Sequence, residues 1–475
     1  MSNISSIISS IQSIMRKDNG VDGDAQRIGQ LGWMLFLKIL DAREQSMELI
    51  EENYKSVISA ELQRKNRAED DEGITGDALI EFINLKLFPK LKNLSSETQN
   101  KMAYIVKGVF EDSFNYMKSG TLLRQVINKI DEIDFNRKSE LHIFNDIYEK
   151  ILNDLQNAGN YGEFYTPRAV TQFMVQMLDP QLGQKILDPA CGTGGFLTGC
   201  IEYLRTHHVK NTEHETLLQE SIHGIELKPL PHLLATTNLM LHGIDIPINL
   251  RHDDSLSKPI KDITIRDQVD IILANPPFGG TITDGILANF PKSFQTKETA
   301  SLFMVYIISM LKHGGQGAVV LPDGFLFSEG IDSRIKEKLL TECNLHTIVR
   351  LPNNVFAPYA TVATNLLFFT KGEATKEIRY YEHKVPTGQK TYNKTNPIKL
   401  SEFDAEKTRW TDRTETEVSR KVSVDMIRDR NYNLDVKNPH KGEEAQVLDT
   451  AEIIMMIDHN LTQAHETLKQ IKESL

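Results

Sequence analysis

Cysteine is scarce in this sequence. Its three cysteines, Cys191, Cys200 and Cys343, form no CxxC pair and no metal-gathering spacing, which excludes a disulfide-stapled fold and a zinc module. Long apolar runs are missing as well. The best, LGWMLFLKIL (31–40), carries Lys38 and is far shorter than a membrane span requires. The opening stretch MSNISSIISSIQSIM has neither a charged leading region nor a small-residue cleavage site, so the expected location is a reducing cytoplasm. A basic excess is the third absence. Acidic side chains number 65 against 54 basic ones, a formal net charge of −11. Proteins that grip nucleic acid unaided generally show a basic balance, because phosphate contacts dominate affinity. If this chain works on nucleic acid, much of the grip and the sequence reading should come from elsewhere, although a local basic cleft can sit inside an acidic total.

What is present is a soluble globular composition, 40% hydrophobic and 25% charged over 475 residues, long enough for two or three domains. Residues 1–155 carry helical spacing in IGQLGWMLFLKILDAREQSMELIEENY (28–54), ALIEFINLKLFPKLKNL (78–94) and ELHIFNDIYEKILNDLQ (140–156), with an acidic loop at 66–77. They predict an α-helical N-terminal domain. Over 156–420 the texture changes to short apolar runs separated by helix-length segments: KILD (185–188), IHGIEL (222–227), INLRHDD (248–254), VDIILAN (269–275), GAVVLPD (317–323), HTIVRLP (346–352) and NLLFFTK (365–371). That alternation predicts βαβ units and a parallel, doubly wound α/β sheet of Rossmann type, with ligands beyond the carboxyl ends of the strands. The strand pattern fades after about 375. In the segment 421–475, Ile454, Ile457, Leu461, Ala464, Leu468, Ile471 and Leu475 form a seam of coiled-coil type. It suits a partner helix and, equally, a helix folded back on its own N-terminal domain.

Four strand ends carry the chemistry. LDPACGTGGF (187–196) follows a strand and opens a helix, with Asp188 at the strand end and Gly192, Thr193 and Gly194 in the turn. It lacks the Lys-Ser/Thr of a P-loop and the spacing of a dinucleotide fingerprint. Taken alone, such a turn is as well explained by a tight βα connection. Glu226 ends the next strand, where a carboxylate can accept hydrogen bonds from both ribose hydroxyls. Asp254, or equally its neighbour Asp253, ends the third and could meet an adenine amino group. ANPPFGG (274–280) ends the fourth. Prolines fix φ and stiffen a turn, so the Asn275 side-chain oxygen and the Pro276 carbonyl can converge on one donor, while Phe278 offers a flat face. An exocyclic base amine is a poor nucleophile because its lone pair is delocalised into the ring. Two acceptors on its N–H groups would localise that pair, and a stacked aromatic would hold a base taken out of the duplex. A purely structural proline turn is commoner, but it leaves the glycine turn, Glu226 and Asp254 unexplained.

This set resembles the amino-group DNA methyltransferases. DPACGTGGF is similar to their first S-adenosylmethionine motif, NPPF to their (N/D/S)PP(F/Y/W) tetrapeptide, and GEFYTPR (162–168) to a further cofactor segment that precedes the first motif in one permutation. With the helical N-terminal domain, NVFAPYATVATNLLFF (354–369), RNYNLD (430–435) and the terminal seam, the chain is most similar to the modification subunit of type I restriction–modification systems. The resemblance implies S-adenosylmethionine as cofactor. Glu163, Phe164, Tyr165, Thr166, Pro167 and Arg168 would line its methionine end. Asp188, Gly192, Thr193 and Gly194 would cradle the amino-acid portion, Glu226 the ribose and Asp254 the adenine edge. Asn275, Pro276, Pro277 and Phe278 would hold a flipped adenine of double-stranded DNA, with Phe356 as a second aromatic contact. The implied reaction is direct transfer to adenine N6, dependent on proximity and orientation, without a metal or a covalent enzyme intermediate.

The cysteines agree, since C5-cytosine methylation needs a cysteine directly after a proline, and Cys191 reads as a packing residue in the turn. Only about twenty residues separate NPPFGG from the helix SLFMVYIISMLKH (301–313), too few for a domain that reads DNA. Recognition is therefore expected of a specificity subunit. A restriction subunit with helicase and nuclease parts and a second copy of this chain are the other implied partners. No helicase P-loop or nuclease motif occurs, so cleavage is not assigned to this chain. Two rival readings are a protein glutamine methyltransferase, which uses the same amide chemistry, and a non-catalytic S-adenosylmethionine-binding scaffold.

Overall fold

A computed structural model describes residues 2–50, 52, 54–62, 73–95, 101–133, 166–280, 282–357, 363–393 and 395–439. The expected helices at 140–156 and 450–475 lie outside the described residues, as do Glu163, Phe164 and Tyr165.

The N-terminal region is helical, with helices Ser2–Met15, Gly23–Ile50, Lys101–Glu111 and Gly120–Asp131. Helical spacing puts Leu31, Trp33, Met34, Leu35, Phe36 and Ile39 of the long helix inside. Trp33 meets Phe88 edge-on at 5.1 Å, and Phe88 meets Phe110 at 5.2 Å. Aromatic pairs favour this geometry because the positive ring edge faces a negative ring face.

All seven predicted strands form: β1 (Ile186–Asp188), β2 (Ile222–Glu226), β3 (Leu250–His252), β4 (Val269–Ala274), β5 (Leu311–Pro322), β6 (Cys343–Leu351) and β7 (Thr364–Lys371). The sheet nevertheless departs from an all-parallel one. Its first seven strands run in the order β3-β2-β1-β4-β5-β7-β6, and β7 enters antiparallel to both β5 and β6. Two strands extend it beyond residue 375, β8 (Glu377–Glu382) and β9 (Ser419–Ser423). Apolar residues cover both faces. In β4, Ile271 and Leu273 join the core of one face, while Val269, Ile272 and Ala274 join the other. Successive side chains of a strand point to opposite faces, which gives the doubly wound arrangement. Helices Arg168–Leu178 and Gly195–His207 pack on the first face, Thr299–Met310 and Ile331–Glu342 on the second.

Helix Pro229–Leu241 links the two layers. Every residue from Pro231 to Leu241 is buried, the polar His232, Thr236, Thr237 and Asn238 included. Ala235 and Leu239 face the sheet core, while Leu233, Leu234, Met240 and Leu241 belong to the helical core. A Cβ at Gly32 would lie 3.1 Å from Leu233 Cδ2, so the long helix packs there because position 32 has no side chain. Arg43 fastens the far end, donating to Asp245 Oδ1 at 2.8 Å and to the Met240 carbonyl at 3.0 Å.

Strands β1 to β4 run parallel, so Asp188, Glu226, Asp253, Asp254 and Asn275 stand along one rim of the sheet. None of the helices among the described residues is long and apolar enough to cross a membrane.

Candidate active site

The turn after β1 is built by backbone geometry. Gly192 and Gly194 have φ of 54° and 84°, a left-handed region that side chains disfavour. The Gly194 N–H donates to the Cys191 carbonyl at 2.7 Å, and the Cys191 N–H to the Ile225 carbonyl at 3.0 Å, tying the turn to β2. Asn238 Nδ2 donates to the Thr193 carbonyl at 2.9 Å. Helix Gly195–His207 starts directly behind.

Two carboxyls bracket this turn. Asp188, 2% exposed, accepts from the Ala190 N–H at 3.1 Å. Glu226, 6% exposed, accepts from the Gly192 N–H at 2.9 Å and the Lys228 N–H at 2.8 Å. Burial pushes Asp188 up to about 8, the Ala190 N–H pulls it partly back, and the nearby Glu226 raises it again. Burial also raises Glu226, against the pull of its two N–H donors. Each Glu226 oxygen keeps a lone pair for a further donor. The arrangement repels phosphate and suits a ligand that brings hydroxyls or positive charge. Cys191 is buried beside both carboxyls; burial first, and their charges second, push its thiol well above the ordinary range. It is a packing residue.

A solvent-open cleft of about 280 Å³ runs along the rim, near the lower end of the size range of small-molecule sites. Glu226, Asp253, Asp254, Asn275 and Pro277 all line it, together with Ala190, Leu256, Gly279, Ile286, Thr299 and Phe303. The second and third strand ends thus share one cavity with the proline corner. The two aspartates differ within it. Asp254 is half-buried and accepts from the Leu256 N–H at 2.9 Å, whereas Asp253 is exposed and accepts from the Asp254 N–H at 2.8 Å. Asp188, Gly192, Thr193 and Gly194 are buried next to it and do not line it, although their neighbours Pro189 and Ala190 do.

The corner itself is held across a long sequence distance. Asn275 Nδ2 donates to Thr166 Oγ1 at 3.1 Å, joining the segment before helix Arg168–Leu178 to the end of β4. Pro167 starts that helix, its carbonyl accepting from the Val170 and Thr171 N–H groups at 2.9 and 3.0 Å. Arg168 pairs with Glu202 at 3.0 Å on the helix behind the glycine turn. Phe278 is half-buried and packs against the apolar cluster that contains Phe356, itself 4% exposed.

Sequence reasoning missed Leu256, Thr299 and Phe303. Their side chains are apolar or small, on elements whose spacing reads as ordinary core, and only the tertiary arrangement puts them on a cavity wall. Thr299 Oγ1 is buried on that wall without a hydrogen-bond partner among the described residues, an unusual state for a buried hydroxyl.

Comparison with known proteins follows the same lines. Residues 139–447 match the family described as N-6 DNA Methylase, and residues 4–130 match the HsdM N-terminal domain. The chain is 56% identical over 448 residues to the EcoEI type I restriction enzyme methylase subunit of Escherichia coli, covering 93% of this chain and 91% of that one. It is 30% identical over 371 residues to the EcoKI methylase subunit of Escherichia coli K12, covering 75% of this chain and 65% of the relative. Among solved structures, a type I restriction enzyme modification subunit from Vibrio vulnificus YJ016 superposes with a TM-score of 0.84 at 42% identity, over 92% of this chain and 97% of that one. A chain from a structural description of assembly and conformational transition in a type I restriction–modification system gives the same TM-score at 32% identity, over 100% and 98%.

Proposed function

The chain belongs to the N-6 DNA methylases, among the methylase subunits of type I restriction enzymes, and from that premise we propose how its residues divide the work. It is an adenine-specific DNA methyltransferase subunit that methylates adenine N6 within a type I restriction–modification complex. The observation that carries the residue assignment is the single cleft lined by Glu226, Asp254, Asn275 and Pro277.

S-adenosylmethionine, when bound, supplies an electrophilic methyl group on a sulfonium. The residues fit that ligand. Two buried carboxyls around a glycine turn oppose phosphate but accept hydroxyls and cationic groups. Glu226 takes the ribose hydroxyls with its remaining lone pairs, and half-buried Asp254 takes the adenine amine. Pro277, Leu256 and Phe303 give the ring apolar walls, and the unpaired Thr299 hydroxyl faces the same space. Asp188, Gly192, Thr193 and Gly194 would cradle the amino-acid end, with Pro167 and Arg168 beside it.

The target adenine sits at the corner. Asn275 Oδ1 and the Pro276 carbonyl accept from its two N6 N–H groups, which localises the nitrogen lone pair for in-line attack. Neither acceptor is a base, so the proton lost from N6 passes to water. Phe278 stacks on the flipped ring from the side of the Phe356 cluster. The acidic balance of the chain and the short stretch between the corner and helix Thr299–Met310 support delegation of sequence choice to a specificity subunit. The 450–475 seam is a candidate for docking it. A second copy of this chain and a restriction subunit complete the proposed assembly.

The test is a methyl-transfer assay on duplex DNA, with the modified base mapped, using the purified chain with and without a specificity subunit. The expected result is N6-methyladenine at a defined site only with the subunit present. Robust site-selective transfer by the chain alone overturns the delegation. Transfer to a glutamine amide, with none to DNA, overturns the whole reading.

A further inference from the structure

We propose that Thr166 is a positioning residue for methyl transfer: its hydroxyl holds the Asn275 carboxamide in the orientation that turns Oδ1 towards the target amine. The inference rests on the reading of Asn275 as the residue that meets adenine N6.

The backbone around Asn275 leaves one freedom unsettled. Ala274 is locked into the sheet opposite Val319, and Pro276 and Pro277 fix the chain that follows. The Asn275 Cβ is therefore placed. The amide plane is not, because a carboxamide turned end for end presents N–H where it had presented oxygen. The two orientations are opposite in chemistry. With Oδ1 forward the side chain accepts from the amine; with Nδ2 forward two donors confront each other and the nitrogen lone pair stays in the ring.

The bond from Asn275 Nδ2 to Thr166 Oγ1, at 3.1 Å, holds the amide in its plane with Oδ1 free to face forward. The hydroxyl could pair with either end of the amide, and the target amine, which offers only N–H there, makes the Oδ1-forward turn the fully paired one. It is the one hydrogen bond of the Asn275 side chain among the described residues. Thr166 can serve as a fixed reference because Pro167 follows it, buried, and begins helix Arg168–Leu178. That helix is anchored in the sheet core through Val170, Phe173 and Met174, none of them exposed. The segment before the first motif, expected from sequence to touch only the cofactor, thereby sets the amide on the opposite side of the reaction.

The experiment uses the complete methyltransferase, with its specificity subunit, and Thr166→Val, Thr166→Ala and Thr166→Ser. Valine keeps the shape and removes the acceptor. The expected outcome is a kcat about 10-fold lower for valine and alanine, the scale of one lost hydrogen bond. S-adenosylmethionine affinity by calorimetry and KM for DNA should stay unchanged, and serine should restore kcat. Weaker cofactor affinity with unchanged kcat at saturation overturns the proposal and makes Thr166 a cofactor contact. Unchanged kinetics, or an equal loss with serine, overturns it too. Asn275→Ala is the control: if that variant still transfers methyl groups, the catalytic reading of the corner has failed rather than the role of Thr166.

Discussion

The glycine turn after β1 and the proline corner after β4 stand on adjacent strands of one sheet, yet they are held by opposite means. The turn is buried, and its N–H groups are spent on Asp188, Glu226 and the Ile225 carbonyl. The corner is half-open. Among the described residues one side-chain hydrogen bond holds its amide, and Gly279 and Gly280 beyond it are exposed. On the proposed assignment, the difference matches the partner each would receive, cofactor at the turn and target base at the corner. A small ligand can enter a site already shaped for it, at little ordering cost. A base swung out of a duplex needs an open approach and a few stiff contacts at its end.

The largest way to break this comparison is Asn275→Ala. It should lower methyl transfer by about 10²–10³-fold, the scale seen when one preorganised transition-state contact is removed, while cofactor affinity measured by calorimetry stays near wild type. Joint loss of both would make the corner a structural element of the turn. Next in size is Glu226→Gln. Its amide nitrogen would face the Gly192 or the Lys228 N–H, and cofactor binding should weaken about 10–100-fold, with kcat at saturation retained. An unchanged dissociation constant would remove Glu226 from the nucleoside site.

The smallest effect sharpens the electrostatic side. Asp188 is raised from 3.8 to about 8 by burial and by Glu226. Because the folded state holds this proton more tightly than the unfolded chain, stability without ligand falls as pH rises from about 4 towards 8. Asp188→Asn should therefore raise Tm at pH 8 by a few degrees, with the gain vanishing below pH 4. Equal melting shifts at both pH values would contradict the assignment. Binding of a cationic ligand favours the ionised carboxylate, so wild-type cofactor affinity should rise through the same window and release protons at pH 7.

The legible parts were those written in short-range pattern. The seven apolar runs became strands because each is bounded by turn chemistry, and the polar residues closing the first four fall on one rim once those strands run parallel. The direction of β7 was not legible. Its six consecutive buried residues, Thr364–Phe369, read the same in a parallel or an antiparallel neighbour, since burial on both faces hides orientation. Strand β9, SRKVS, escaped because it is a short edge strand rich in charge, which is how edges avoid unwanted pairing. The Thr166–Asn275 bond spans 109 residues, and no local spacing encodes such a contact. That Glu226 and Asp254 would gather on one rim was anticipated, while the apolar walls of their cleft were not, because a cavity wall and a core position use the same residues.

Helix Pro229–Leu241 carries a mechanical consequence. At its start the Lys228 N–H grips Glu226, midway Asn238 grips the Thr193 carbonyl, and its outer side is clamped by Gly32 and Arg43 of the helical layer. Close-packed interiors pass strain along instead of absorbing it. A partner that shifted the helical layer would therefore pull, through this rod, on Glu226 and on the turn at Thr193 together.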